Sequence, residues 1–330
     1  MALLLTEDDV RKILTMPLAL EAVEESFRRL ADGSAVLQSR QRLHIPGKSY
    51  LHYMAAGDSA SGYLGLKIYT SSRQGLRFLI PLFRMASGDL VALIEGDYLG
   101  QVRTGAASGV ATKYLANPDT RTLGIIGTGS QARTQLLAIS LVRRLESVKV
   151  FGRDVQRREQ FAADMTTRAG LTVRAVAKAE EAVRGADIVV TATTSSEPIL
   201  CGSWLKAGAH VNAIGANFPQ KRELDDEAVW GAGLIVVDSL EQSKIEAGDL
   251  IQAFAGDASR WQQVRELAQI VGGTAPGRED SKEVTLFKSN GIAIEDIVVA
   301  GRVYEAARAL SIGRELAMWP DESRPAKRGF

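Results

Sequence analysis

The residues best suited to chemistry lie in LGIIGTGSQA, where Gly127, Gly129 and Ala132 fit G-x-G-x-x-A and Thr128, Ser130 and Gln131 fill the gaps. In such a turn the first glycine permits the bend and the second lets the backbone approach a pyrophosphate. The small third residue lets the following helix pack on the preceding strand. The helix then offers free N–H groups and its positive dipole end to phosphate. With 31 glycines in 330 residues the spacing alone is weak. Its place between an apolar strand and an uninterrupted helix makes it a dinucleotide site.

The next strand, VKVF, ends at Gly152 and Arg153. An NAD enzyme usually carries an acid there for the ribose 2′-hydroxyl. A guanidinium suits a 2′-phosphate instead. NADP(H) is therefore the preferred cofactor expected here, with NAD(H) possible. The alternative is that Arg153 is solvated and Asp154 reads the ribose. Thr191, Ala192 and Thr193 end a later strand, where doubly wound sheets bind ligands. Threonines also simply fill sheets, so that role stays open.

Other chemistries find little support. His44, His52, His210 and the lone Cys201 are scattered, so neither a metal-ligand spacing nor an intramolecular disulfide is expected. The formal net charge of +1 provides no basic field for nucleic acid or an anionic membrane. The apolar run Ala2 to Leu5 is followed at once by acids and reads as neither signal peptide nor membrane span. A cytoplasmic location is the expectation.

The elements that position these residues fall into two units. Thr6 reads as an N-cap before Glu7, Asp8 and Asp9, and Pro17 sits near the start of a second helix that Gly33 stops. Between Gln41 and Glu95 short apolar runs alternate with Gly, Ser, Asp and Pro, the texture of a mostly antiparallel sheet. Asp97 to Leu115 reads as a helix rich in small residues. After the turn signal Asn117-Pro118-Asp119, strands and helices alternate. That pattern predicts a parallel, doubly wound Rossmann sheet with right-handed crossovers. The fold class is thus α/β, a Rossmann domain at 118–307 beside an α+β domain at 1–117. The latter is expected to be completed by 308–330. The stretch from Gly291 to Leu316 reads as one long helix, and the polar tail after Trp319 as frayed.

Six segments taken together, QVRTGAASGVAT, LGIIGTGSQA, TATTSSEPIL, HVNAIGANFPQKREL, IEAGDL and FKSNGIAIEDIV, resemble the ornithine cyclodeaminase/mu-crystallin family. The resemblance runs from about Gln41 to Ala307. It implies homodimers joined through the non-Rossmann domain, which makes 1–117 the substrate and dimerisation domain, and a small α-amino or α-imino acid as substrate. It also implies that Arg42, Lys67 and Arg103 hold the substrate carboxylate. Thr104, beside Arg103, is assigned to the cofactor set and can assist with either ligand. Lys67 shares a strand face with Gly65 and Tyr69, and a cation in so apolar a strand is costly unless it meets an anion or water. It can also move a proton near the reacting carbon. Arg42 as a solvated charge, Lys67 in a structural ion pair and Arg103 on a cofactor phosphate remain open. Asn290 is assigned to the cofactor set, and with Met54 and Phe218 it is a candidate for the pocket wall.

One position departs from the family pattern. Cyclodeaminases carry Asp where AIGAN ends in Asn217. A neutral amide is no carboxylate base and pairs weakly with an ammonium. Asn217 therefore points away from ornithine cyclisation and towards reduction of an imine, such as pyrroline- or piperideine-2-carboxylate, to the L-amino acid. Ornithine cyclodeaminase, alanine dehydrogenase and a catalytically silent NADPH-binding protein are the alternatives.

Overall fold

The computed structural model describes residues 1–72 and 74–318. The tail expected to fray, and residues 319–330 of the expected first domain, lie outside the described residues. The chain opens with strand β1 (Ala2–Leu5), helices α1 (Glu7–Ile13) and α2 (Met16–Ala31), and strands β2 (Ala35–Leu37) and β3 (Gln41–Ile45). Long strands β4 (Ser49–Asp58), β5 (Tyr63–Ser72) and β6 (Gly75–Arg84) follow, then β7 (Leu90–Glu95) and helix α3 (Asp97–Leu115). The parallel unit comprises β8 (Thr122–Ile126), α4 (Ser130–Val142), β9 (Ser147–Phe151), α5 (Val155–Ala169), β10 (Val173–Ala175), α6 (Ala179–Val183), β11 (Ile188–Thr191) and β12 (His210–Ala213). It continues through α7 (Asp226–Trp230), β13 (Ala232–Val237), α8 (Leu240–Glu246), α9 (Gly248–Ala253), β14 (Arg265–Glu266), α10 (Leu267–Val271) and β15 (Val284–Lys288). Helix α11 (Ala293–Leu310) and strand β16 (Arg314–Leu316) end the described chain.

Local chemistry explains the first turns. Thr6 and Asp9 form a reciprocal capping box at α1. Thr15 caps α2, with Pro17 in its first turn.

The first sheet has the order β16-β1-β7-β6-β5-β4-β2, with β3 paired to β4. Its inner face packs against α2, α3 and α11 around Phe27, Met54, Ile80, Leu82, Ile94, Leu99 and Ile297. The alternation in β5 puts Tyr63, Gly65 and Lys67 on this buried face and Leu64, Leu66 and Ile68 outward. The outer face is also apolar: Tyr53 pairs with Ile68, Ile68 with Leu79, and Leu64 with Phe83.

The second sheet has the order β10-β9-β8-β11-β12-β15-β13-β14, and every pair in it is parallel. The chain leaves β8 towards β9 and β10 and then returns to β11 on the other side. That reversal opens a crevice at the carboxyl ends of β8 and β11.

Two features differ from the sequence reading. The crossing back to the first sheet falls near Gly291 and not at 308, because the buried face of α11, from Ala293 to Ala307, belongs to the core under that sheet. The C-terminal stretch is also not one helix. Ser311 turns left-handed at φ 55, Gly313 follows at φ 103, and β16 then pairs antiparallel with β1. The run Ala2–Leu5 is itself a strand, parallel to β7. A four-residue apolar run carries no periodicity from which this could be read.

Candidate functional site

A cleft of about 580 Å³ lies between the two sheets. On the Rossmann side, Gly127 (φ +126) passes beneath the end of β11, where an added Cβ would meet the Ala192 carbonyl oxygen at 2.3 Å. Gly129 begins α4 with no side-chain cap, and a Cβ there would face open space. The first N–H groups of α4 are thus left for an anion. Ala132 is fully buried beneath the turn. A Cβ on Gly152 would meet Thr128 Cγ2 at 2.7 Å, so the second strand ends tightly against the turn. These residues fit a dinucleotide pyrophosphate.

Buried carboxylates hold the rim. Glu223 accepts from Thr191 Oγ1 at 2.9 Å, Thr193 N at 2.6 Å, Thr193 Oγ1 at 2.7 Å and Gly215 N at 2.7 Å. It ties the ends of β11 and β12 together. Asp238 accepts from Ser289 Oγ at 2.9 Å, and from the amides of Asn290 at 2.7 Å and Gly291 at 2.5 Å.

The opposite wall is cationic. Lys67 Nζ donates to Asp296 Oδ1 at 2.7 Å. Arg103 donates to the same oxygen through Nε at 3.1 Å and to Glu295 through Nη1 at 2.6 Å. Arg40 pairs with Glu246 and donates to the carbonyls of Asn290 at 2.9 Å and Gly291 at 3.0 Å. Burial, with Arg103 beside it, pushes Lys67 down to about 8 despite Asp296. Burial pushes Glu295 up to about 8 against the pull of Arg103. Burial, then Arg42 and Arg40, hold His52 down to about 4, so this cleft residue is neutral. His52, Tyr69 and Phe78 stack in succession across the sheet, with centroids 4.3 and 4.9 Å apart.

The structure brings Lys67, Arg103, Thr104, Gly129, Ser130, Gln131, Ala192, Thr193, Asn217 and Asn290 to this one cleft, with Met54 and Phe218. Arg42 is set back from it. Its guanidinium donates to the Asn217 carbonyl at 3.0 Å, pairs with Glu246 at 2.8 Å and lies 4.3 Å over the Phe218 ring. Arg40 reaches the cleft in its place. Positions 40 and 42 have the same parity in an extended chain, so alternation could not separate them. Thr191 is fully buried, its hydroxyl spent on Glu223; it supports the rim and does not line the cleft. Arg153 is exposed beside Gly152, while Asp154 caps α5 by accepting from Arg157 N at 3.0 Å. The supporting acids Glu223, Asp238, Glu246, Glu295 and Asp296 escaped sequence reasoning. Each meets partners far away in the chain.

This pairing of a dinucleotide turn with a cationic wall has known counterparts. The chain matches the ornithine cyclodeaminase/mu-crystallin family over residues 1–311 and belongs to it. It is 38% identical to a Delta(1)-pyrroline-2-carboxylate reductase of Bacillus cereus, covering 77% of this chain and 80% of that one. The solved Delta(1)-pyrroline-2-carboxylate reductase of Thermococcus litoralis, in complex with NADH and L-proline, is 37% identical. It superimposes with a TM-score of 0.91 over 95% of this chain and all (100%) of that one. An archaeal alanine dehydrogenase dimer with bound NAD is 34% identical, with a TM-score of 0.91 over 96% of this chain and 99% of the other.

Proposed function

We propose that this protein is an NAD(P)H-dependent reductase of α-imino acids, cyclic ketimines such as Δ1-pyrroline-2-carboxylate or Δ1-piperideine-2-carboxylate, yielding L-amino acids. The observation that carries this is the convergence of buried Arg40, Lys67 and Arg103 on the cleft that also holds the open N-terminus of α4. Arg103 and Arg40 bind the substrate carboxylate, which suits their planar donor pairs. Lys67, down at about 8, supplies the proton that the imine nitrogen needs. The nicotinamide cofactor, when bound, supplies the hydride. Asn217 leaves this position without a carboxylate to engage a substrate ammonium, which disfavours release of ammonia from ornithine.

Two further parts of the reading concern the cofactor and assembly. Arg153, exposed beside Gly152, favours NADP(H), since Asp154 is engaged as a helix cap. The apolar outer face around Tyr53, Leu64, Ile68 and Leu79 joins two copies into a homodimer, as the dimeric alanine dehydrogenase relative supports. A cytoplasmic location completes the reading, and the lone Cys201 is consistent with a reducing compartment.

The test is oxidation of NADPH and NADH with each cyclic imine, with pyruvate plus ammonia, and a parallel assay for proline from ornithine. Reduction of a cyclic imine is the expected result. Proline from ornithine without imine reduction overturns the proposal, and turnover of pyruvate and ammonia alone reassigns the enzyme to amino-acid dehydrogenation.

A further inference from the structure

Asn290 has an unusual combination of rigidity and unmet need. Its side chain lies in the cleft wall and is only 7% exposed. Neither Oδ1 nor Nδ2 has a hydrogen-bond partner. Its backbone is pinned at both ends: the amide donates to Asp238 at 2.7 Å and the carbonyl accepts from Arg40 at 2.9 Å. Gly291 after it is held to the same Asp238 oxygen. A buried amide with both ends unpaired is costly. A group held so firmly in that state marks a place where a ligand supplies the missing bonds.

The chemistry of the missing partner is narrow. It must present an acceptor to Nδ2 and a donor to Oδ1 side by side. The substrate carboxylate offers only acceptors and has cations to meet. The reacting nitrogen, an iminium in the substrate or an ammonium in the product, offers donors without an acceptor beside them. A primary carboxamide offers both groups, and the proposed cofactor carries one on its nicotinamide ring. We infer that Asn290 binds the nicotinamide carboxamide by paired amide–amide hydrogen bonds and so orients the ring in the cleft. This inference rests on the reading that a dinucleotide lies along Gly127 and Gly129.

The test is direct binding without turnover. Fluorescence or calorimetric titration measures three ligands against the full chain: NADH, the reduced 3-acetylpyridine analogue, which keeps the carbonyl but lacks the NH₂ donor, and ADP-ribose, which lacks the ring. The unaltered protein is expected to bind NADH about three- to tenfold more tightly than the acetyl analogue, the worth of about one hydrogen bond. Asn290→Ala is expected to abolish that preference and to leave ADP-ribose affinity unchanged, which also reports that the variant folds. Equal binding of NADH and the acetyl analogue by the unaltered protein overturns the inference without recourse to any variant. So does a preference that survives Asn290→Ala. Failure of the unaltered protein to bind any of the three ligands, and NADPH as well, sinks the dinucleotide reading itself, and the two failures are thereby distinguishable.

Discussion

Replacing Lys67 by Met probes the step on which the chemistry depends. The Lys67 side chain is 3% exposed; its ammonium donates to Asp296 at 2.7 Å and has Arg103 on the same carboxylate oxygen. Burial and Arg103 bring it from its ordinary 10.5 down to about 8, a difference worth about 3 kcal/mol against the charged form. The sign follows from which state keeps the proton. Between about 8 and 10.5 the unfolded chain holds a proton that the folded one has lost. This group therefore makes the fold more stable as pH climbs through that window. Activity runs the other way, because the proton donor is present below about 8 and disappears above it. Turnover should fall roughly tenfold for each pH unit beyond that point. Lys67→Met removes the donor and should lower kcat by about 10²- to 10⁴-fold. The assay is steady-state imine reduction by both proteins from neutral to alkaline pH. The substrate's own ionisation appears in both profiles, so their ratio isolates Lys67. A variant that keeps kcat and only raises KM reduces Lys67 to uniform substrate binding. A ratio that does not change with pH refutes the proton role as well.

Three other perturbations bear on different parts of the structure. Gly291→Ala places a Cβ 2.6 Å from Arg103 Nη1 at a φ of +76; the backbone alone costs about 1–2 kcal/mol, so urea denaturation should show a loss at least that large and KM for the imine should rise. Unchanged stability and KM would mean that Arg103 has freedom the packing denies. Arg153→Ala should weaken NADPH binding about tenfold or more while sparing NADH, and equal affinities before and after remove Arg153 from cofactor choice. Ile68→Glu on the outer sheet face should yield a monomer in light scattering with its secondary structure intact by circular dichroism; a persistent dimer places the interface elsewhere.

The sequence by itself determined the parts of this protein that rest on local rules. The G-x-G-x-x-A turn is legible because each residue answers to a contact within its own strand–turn–helix unit. The N-cap at Thr6 answers to the first turn of its own helix. Simple alternation grouped Lys67 with Gly65 and Tyr69 on one strand face, and the packing of α3 and α11 decided that this face is the buried one. The alternation of strands and helices after Asn117 sufficed for the parallel sheet. Tertiary structure alone decided which cation enters the cleft. Arg40 and Arg42 share strand parity and both pair with Glu246; the choice between them is made by the carbonyls of Asn290 and Gly291, which hold Arg40, and that of Asn217, which holds Arg42. It also decided that Thr191 serves Glu223 and that α11 returns to the first sheet at Gly291. Lys67 and Arg103 meet Asp296 across separations of 229 and 193 residues. Ion pairing depends on distance in space and leaves no periodic trace along the chain, so these partners became visible only when α11 was packed under the first sheet beside α3.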